Sequence, residues 1–314
     1  MIQVESPGLF TTVQDLGRYG YGTIGVSPSG AADPIALRVG NWLVGNPETA
    51  AGLEMTLLGG AFVFPEGGLI AATGSDFAAT LQGMALPMWT ACPVKSGQSV
   101  KFGSTRSGAR CYLTVRGGIS VKPFLGSAST HVLSRLGGLE GRLLRKGDAL
   151  HIGNEQSDDA RRPRTIAPEF LRHLEPRTTI RTSIAPQTAV FSAAAKEVFY
   201  QNKYRVTEQS NRMGLRLEGP AVEAPYAGQM TTEGVSLGAV QIPAGGQPII
   251  LFVEQQTTGG YPKIANVISA DLSCVGQLRP NNVIEFELVS AENAQSLIQE
   301  QEELLHEIAV SLWA

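Results

Sequence analysis

The chain has 314 residues, 43% hydrophobic and 17% charged, with a formal net charge of −3 at pH 7. This composition can bury a sizeable core, and the length exceeds one average domain. It excludes the clustered basic footprint of a nucleic-acid binder and gives no support to a membrane-surface role.

The 36 glycines and 18 prolines are scattered rather than periodic, as expected of many turns between short strands. No apolar run reaches the roughly 18 residues that a membrane span requires. The opening Met1-Ile2-Gln3-Val4-Glu5-Ser6-Pro7 lacks a basic region followed by an apolar run, so a cytoplasmic chain without a signal peptide is expected. Cys92, Cys111 and Cys274 lie far apart without metal or disulfide spacing, and are expected to be packing residues.

Asp33-Pro34 predicts the first helix, with Asp as N-cap and Pro at the first helical position. Its apolar residues run through Ile35, Leu37, Val39, Trp42 and Leu43, and Gly45-Asn46-Pro47 stops it. Short strands are expected at 60–64, 69–73, 110–115 and 248–253, each close to Gly, Pro or Asn. The stretch 156–186 is rich in Arg, Asp, Glu and Pro, includes Arg161-Arg162-Pro163-Arg164, and reads as a connection. It separates a first domain at 1–155 from a second at 187–314. A last helix is predicted from Ser290 to Trp313, with Leu297, Leu304, Ile308 and Leu312 near helical spacing and Glu300, Glu302 and Glu303 on a solvated face.

The two halves echo each other. The run 93–102 resembles 277–286, each a turn followed by an alternating strand, and Gly17-Arg18-Tyr19-Gly20 resembles Asn211-Arg212-Met213-Gly214. A duplicated barrel is one reading.

Familiar catalytic signatures are missing. The sequence contains no phosphate-binding P-loop, no G-x-S-x-G elbow and no H-x-x-x-H zinc spacing. It also lacks a Met-Lys-Met biotin-attachment sequence.

Polar residues concentrate instead in glycine-rich clusters. Near the start, Gln14, Asp15 and Arg18 stand among many glycines; they form either a ligand site or a turn held by an Asp15–Arg18 pair. After the apolar strand at 248–253 comes Glu254-Gln255-Gln256-Thr257-Thr258-Gly259-Gly260-Tyr261-Pro262-Lys263. The paired glycines could expose an anion-binding nest with Lys263 as point charge, or make a turn with a solvated lysine. Asn211-Arg212-Met213-Gly214 and Arg116-Gly117-Gly118 read more readily as structural turns.

In this order and spacing the clusters resemble the KipA family, also called allophanate hydrolase subunit 2 or carboxyltransferase subdomains A and B. The matching runs include residues 8–22 and 25–33, Leu53-Glu54, Arg116-Gly117-Gly118, Gly137-Gly138-Leu139-Glu140-Gly141-Arg142, Asn211-Arg212-Met213-Gly214 and Gln256 through Lys263. The resemblance implies a mainly β fold of two cyclophilin-like β-barrel subdomains with a few helices.

It further implies a KipI-type partner in a B2C2 heterotetramer and a third, LamB/YcsF-type subunit. Together these open 5-oxo-L-proline to L-glutamate with ATP, at a nucleotide site shared with the partner. Two other roles follow from the family: carboxyl transfer from biotin to a small amide such as urea, and regulation by binding the KipI-type protein. For any such chemistry, fixed donors must meet developing negative charge. Lys263, Gln256, Tyr261, Arg18 and Gln14 are the expected catalytic residues. Asp15, Asp33, Asn211, Arg212, Thr258, Gly259 and Gly260 are the expected substrate-binding ones, although helix capping already explains Asp33.

Overall fold

A computed structural model describes residues 1–153 and 164–313. Arg161, Arg162 and Pro163 of the arginine run lie outside them. The chain forms two compact units. One holds Met1–Arg18, Ser29–Glu175 and the chain from Leu304 onward; the other holds Tyr19–Pro28 and Pro176–Glu303. One change-over, after Glu175, falls inside the stretch 156–186, whereas Tyr19–Pro28 and the chain from Leu304 onward depart from the expected division at 1–155 and 187–314. The stretch 156–186 is more than a connection, because it carries a helix of the first unit, Pro168–His173, and a strand of the second, Thr179–Ile184.

The fold is mostly β, as expected. In the first unit the described strands form a seven-stranded and a five-stranded sheet. Strand Arg110–Val115 is central in the smaller sheet, between Gly52–Thr56 and Gly68–Gly74. It is buried along its whole length, because side chains alternate between two covered faces. Cys111, Leu113 and Val115 join Ile2, Val4, Phe62 and Phe64 in the main core, while Tyr112 packs with Ala36 and Leu37 of the helix Pro34–Val44.

That helix begins as its cap chemistry dictates: the Asp33 side chain accepts from Ala36 N, Pro34 follows, and left-handed Gly45 ends it. It lies close to the sheet. Thr73 Oγ1 donates to Ala36 O at 2.7 Å, and Thr114 Oγ1 donates to Gly40 O at 2.8 Å. A methyl group on Gly40 would sit 2.9 Å from Thr114 Cγ2, so a glycine is required in mid-helix despite its poor propensity.

In the second unit seven strands close a barrel in the order Thr179–Ile184, Lys263–Val267, Ala239–Gln241, Ile249–Leu251, Gly214–Glu218, Lys203–Val206 and Val283–Leu288. The last of these returns to the first as the parallel pair. Closure leaves no open edge along these strands. The helix Ala193–Gln201 presses Phe199 against Phe286, with stacked rings 4.4 Å apart.

The final helix, Ala291–Trp313, follows its predicted span, but Leu305 rather than Leu304 joins Ile308 and Leu312 in burial. Cys111 and Cys274 are buried, whereas Cys92 is only half-buried.

The internal echo is structural at one turn. Lys95 N donates to Gln98 Oε1 at 2.8 Å, and Arg279 N donates to Asn282 Oδ1 at 2.9 Å. Gly97 and Asn281 occupy the same left-handed corner, with φ of 78° and 72°. Gly and Asn are the residues that tolerate it.

Candidate functional site

Two polar clusters stand out, one in each unit. In the first unit, strand Phe10–Gln14 delivers Gln14 and Asp15 to the hydroxyl-rich run Ser127-Ala128-Ser129-Thr130. Asp15 Oδ1 accepts from Ser127 Oγ at 2.6 Å, from Gly17 N at 2.8 Å and from Ser129 Oγ; Oδ2 accepts from Ala128 N at 2.6 Å. Four donors occupy most of a carboxylate's acceptor capacity. Asp15 thus anchors the 127–129 segment instead of offering itself to a substrate N–H.

Arg18 is buried and donates to backbone oxygens, from Nε to Phe124 O at 3.3 Å and from a terminal nitrogen to Ser129 O. Its guanidinium lies 5.6 Å from the Phe124 ring centre. These contacts make it a clamp on the 124–129 loop. Gln14 is fully buried, and its amide nitrogen donates to Thr12 Oγ1 and Thr130 O, both at 3.0 Å.

Asp33 caps its helix, and its backbone N–H donates to Tyr112 Oη at 2.8 Å. Tyr112 in turn donates to Glu54 Oε2 at 2.7 Å. Burial, with the Glu54 carboxylate beside it, holds the Tyr112 hydroxyl protonated far above its ordinary range. The buried Glu54–Tyr112 pair thereby fixes the helix start.

In the second unit the structure corrects the solvated reading of Lys263. The side chain opens strand Lys263–Val267 and is 1% exposed. Its ammonium pairs closely with Glu233 Oε1, which also accepts from Gln187 Nε2 at 2.9 Å. Glu233 lies on the short strand Glu233–Gly234, paired with Thr258–Gly259.

Of the two readings of Gly259-Gly260, the nest is not formed, because neither glycine adopts a left-handed φ. Gly259 lies close to two side-chain amides. A methyl group there would sit 2.7 Å from Gln241 Nε2 and 3.5 Å from Gln256 Nε2. Gln241 stands directly across the ladder from Lys263. The structure therefore brings Gln256, Gly259 and Lys263 together and adds Glu233, Gln187 and Gln241. Gly260 O accepts from Met230 N at 2.8 Å, and Thr258, Gln256 and Tyr261 are exposed along the same segment.

Arg212 and Asn211 serve the neighbouring turn. Arg212 forms a buried ion pair with Glu254, and Glu254 N donates to Arg212 O at 2.8 Å. Asn211 Oδ1 accepts from Met213 N at 2.8 Å. Both fit the turn role that their composition suggested.

Of the additions, Gln241 had a readable signal: a single amide inside the apolar run Ala239-Val240-Gln241-Ile242. Ser127 and Ser129 had one in their hydroxyl spacing. Glu233 and Gln187 had none, since only the barrel brings them to Lys263.

The Glu233 carboxyl is held below its ordinary range, chiefly by the hydrogen bond from Lys263; partial desolvation opposes this and Gln187 assists. A depressed folded pKa contributes stability above the unfolded carboxylate pKa, and that stability is lost as pH falls through the folded value. The stability gap between wild type and Glu233→Gln should therefore shrink as urea unfolding is followed down from neutral pH through the carboxylate range. A gap independent of pH would remove the ion pair from the explanation.

The closed barrel, the layered sheets and these glycine-rich clusters place the protein in a defined class. Residues 24–288 match the family described as "Carboxyltransferase domain, subdomain A and B", and the chain belongs to that family. It is 38% identical to a 5-oxoprolinase subunit of Escherichia coli (strain K12) over 311 residues, covering 98% of each chain. It is 36% identical to the corresponding 5-oxoprolinase subunit of Haemophilus influenzae over 308 residues, covering 98% of this chain and 97% of that one. The crystal structure of the K. lactis urea amidolyase superposes with a TM-score of 0.90 at 31% identity, over 98% of this chain and 20% of that one.

Proposed function

We propose that the chain is one subunit of an ATP-dependent 5-oxoprolinase, opening 5-oxo-L-proline to L-glutamate. The observation that carries this reading is the 38% identity to the Escherichia coli 5-oxoprolinase subunit across 98% of both chains. Correspondence across nearly all of that subunit favours the 5-oxoprolinase reading. The urea amidolyase likeness, over 20% of that chain, favours carboxyl transfer to a small amide as the second reading.

In the leading reading a KipI-type subunit and a LamB/YcsF-type subunit complete the enzyme. ATP binds at a site shared with a partner, and no biotin is carried here. Lys263 is the natural electrostatic group. It sits at a strand start, out of water, where an ammonium stabilises charge developing on a carbonyl or phosphoryl oxygen more strongly than in solvent. Glu233 holds that ammonium in place.

Co-expression of the three subunits should yield a complex that releases glutamate from 5-oxo-L-proline only when ATP is present. A complete, well-folded complex without that activity rejects the reading. ATP-independent activity would reject the coupling.

A further inference from the structure

We infer that Gln241 is a binding residue of the Lys263 site, donating its buried amide N–H to the carbonyl oxygen of a small amide substrate. The inference rests on the reading of Lys263 given above and extends it to the group that recognises the substrate.

Gln241 is 1% exposed and ends strand Ala239–Gln241. Its Nε2 is buried and has no hydrogen-bond partner among the described residues. A residue with only a packing role would shed such an amide, because an unmet buried donor destabilises the fold and an apolar side chain of similar volume does not. The ladder is irregular between Val240 and Gln241, where the register with the Lys263 strand shifts. Bulges of this kind re-aim side chains beside functional sites. Gln241 then pairs with Lys263, which puts both side chains on one face of the sheet.

Gly259 packs against the amide. A single methyl group there would lie 2.7 Å from Gln241 Nε2, so any larger residue at position 259 would displace that donor. Gln256 flanks the same point, and the Lys263 ammonium is held nearby by Glu233 and, through it, Gln187. A neutral N–H donor beside an ammonium suits a neutral carbonyl oxygen that acquires negative charge during reaction. An anion alone would be served by the lysine, without a buried carboxamide.

The test uses the assembled complex with 5-oxo-L-proline as substrate and L-proline, which lacks the ring carbonyl, as competitive inhibitor. Gln241→Met keeps the volume and removes the donor. The expected result is a KM for 5-oxo-L-proline about 10- to 100-fold higher, with the inhibition constant of L-proline unchanged within about twofold. A merely structural residue would move both constants or neither, and either outcome overturns the inference.

If Gln241→Met and Gln241→Leu both fail to assemble, the amide is structural and the inference falls. If the wild-type complex makes no glutamate, the functional reading fails first. Calorimetric titration of the same complex with urea and with 5-oxo-L-proline then decides: binding lost in Gln241→Met upholds the carbonyl contact, and binding that is equal or absent in both overturns it.

Discussion

Lys263→Met is expected to lower turnover of the assembled complex by roughly two to three orders of magnitude, the usual effect of removing one preorganised electrostatic stabiliser. Methionine retains most of the apolar stem and deletes only the charge. Burial makes this a different experiment from the loss of a surface lysine. The side chain is 1% exposed and charge-paired with Glu233, so removal of its ammonium should also reduce stability, by about 1.5–3 kcal/mol for a charge-assisted hydrogen bond. The two effects separate by measurement: turnover at saturating substrate reports the chemical role, and urea unfolding of the same variant reports the structural one. Lys263→Arg should restore little of the turnover, because a planar fork cannot replace a compact ammonium in a closed strand ladder. Near-normal turnover in a destabilised Lys263→Met variant would make the lysine purely structural.

Arg212→Ala should be among the most destabilising single changes in the second unit, by about 3–5 kcal/mol. Arg212 and Glu254 are 5% and 4% exposed and form a close ion pair. Truncating the arginine leaves the Glu254 carboxylate buried beside an apolar strand end without its guanidinium. The double variant Arg212→Met with Glu254→Leu should recover much of that loss, since a buried ion pair replaced by packed apolar side chains is often close to neutral. Denaturant unfolding of the wild type, the single variant and the double variant checks this. A single variant as stable as wild type would show that the carboxylate has found water or another donor.

Local chemistry was readable from the chain. Asp33-Pro34 and Gly45 bracket the first helix because capping and left-handed termination depend on residues within a few positions of the helix ends. The turn at Lys95–Gln98 and its echo at Arg279–Asn282 were readable for the same reason: each closes over four residues, with Gly97 or Asn281 at the left-handed corner. The family could be recognised because its clusters keep their order along the chain.

Burial and pairing were not readable. Lys263 looked solvated because its partner Glu233 lies 30 residues away and meets it only when the short strands 233–234 and 258–259 pair beside the barrel. Asp15 looked available to a substrate, yet Ser127 and Ser129, more than a hundred residues distant, take up its oxygens. Gly259-Gly260 could have formed a nest, yet neither glycine takes left-handed geometry, and Gly259 pairs in a short strand close to Gln241 instead. A charged or amide side chain carries its hydrogen-bonding capacity in its own chemistry. Whether water, a distant side chain or a ligand meets that capacity is settled by long-range strand pairing, through contacts that no local pattern encodes.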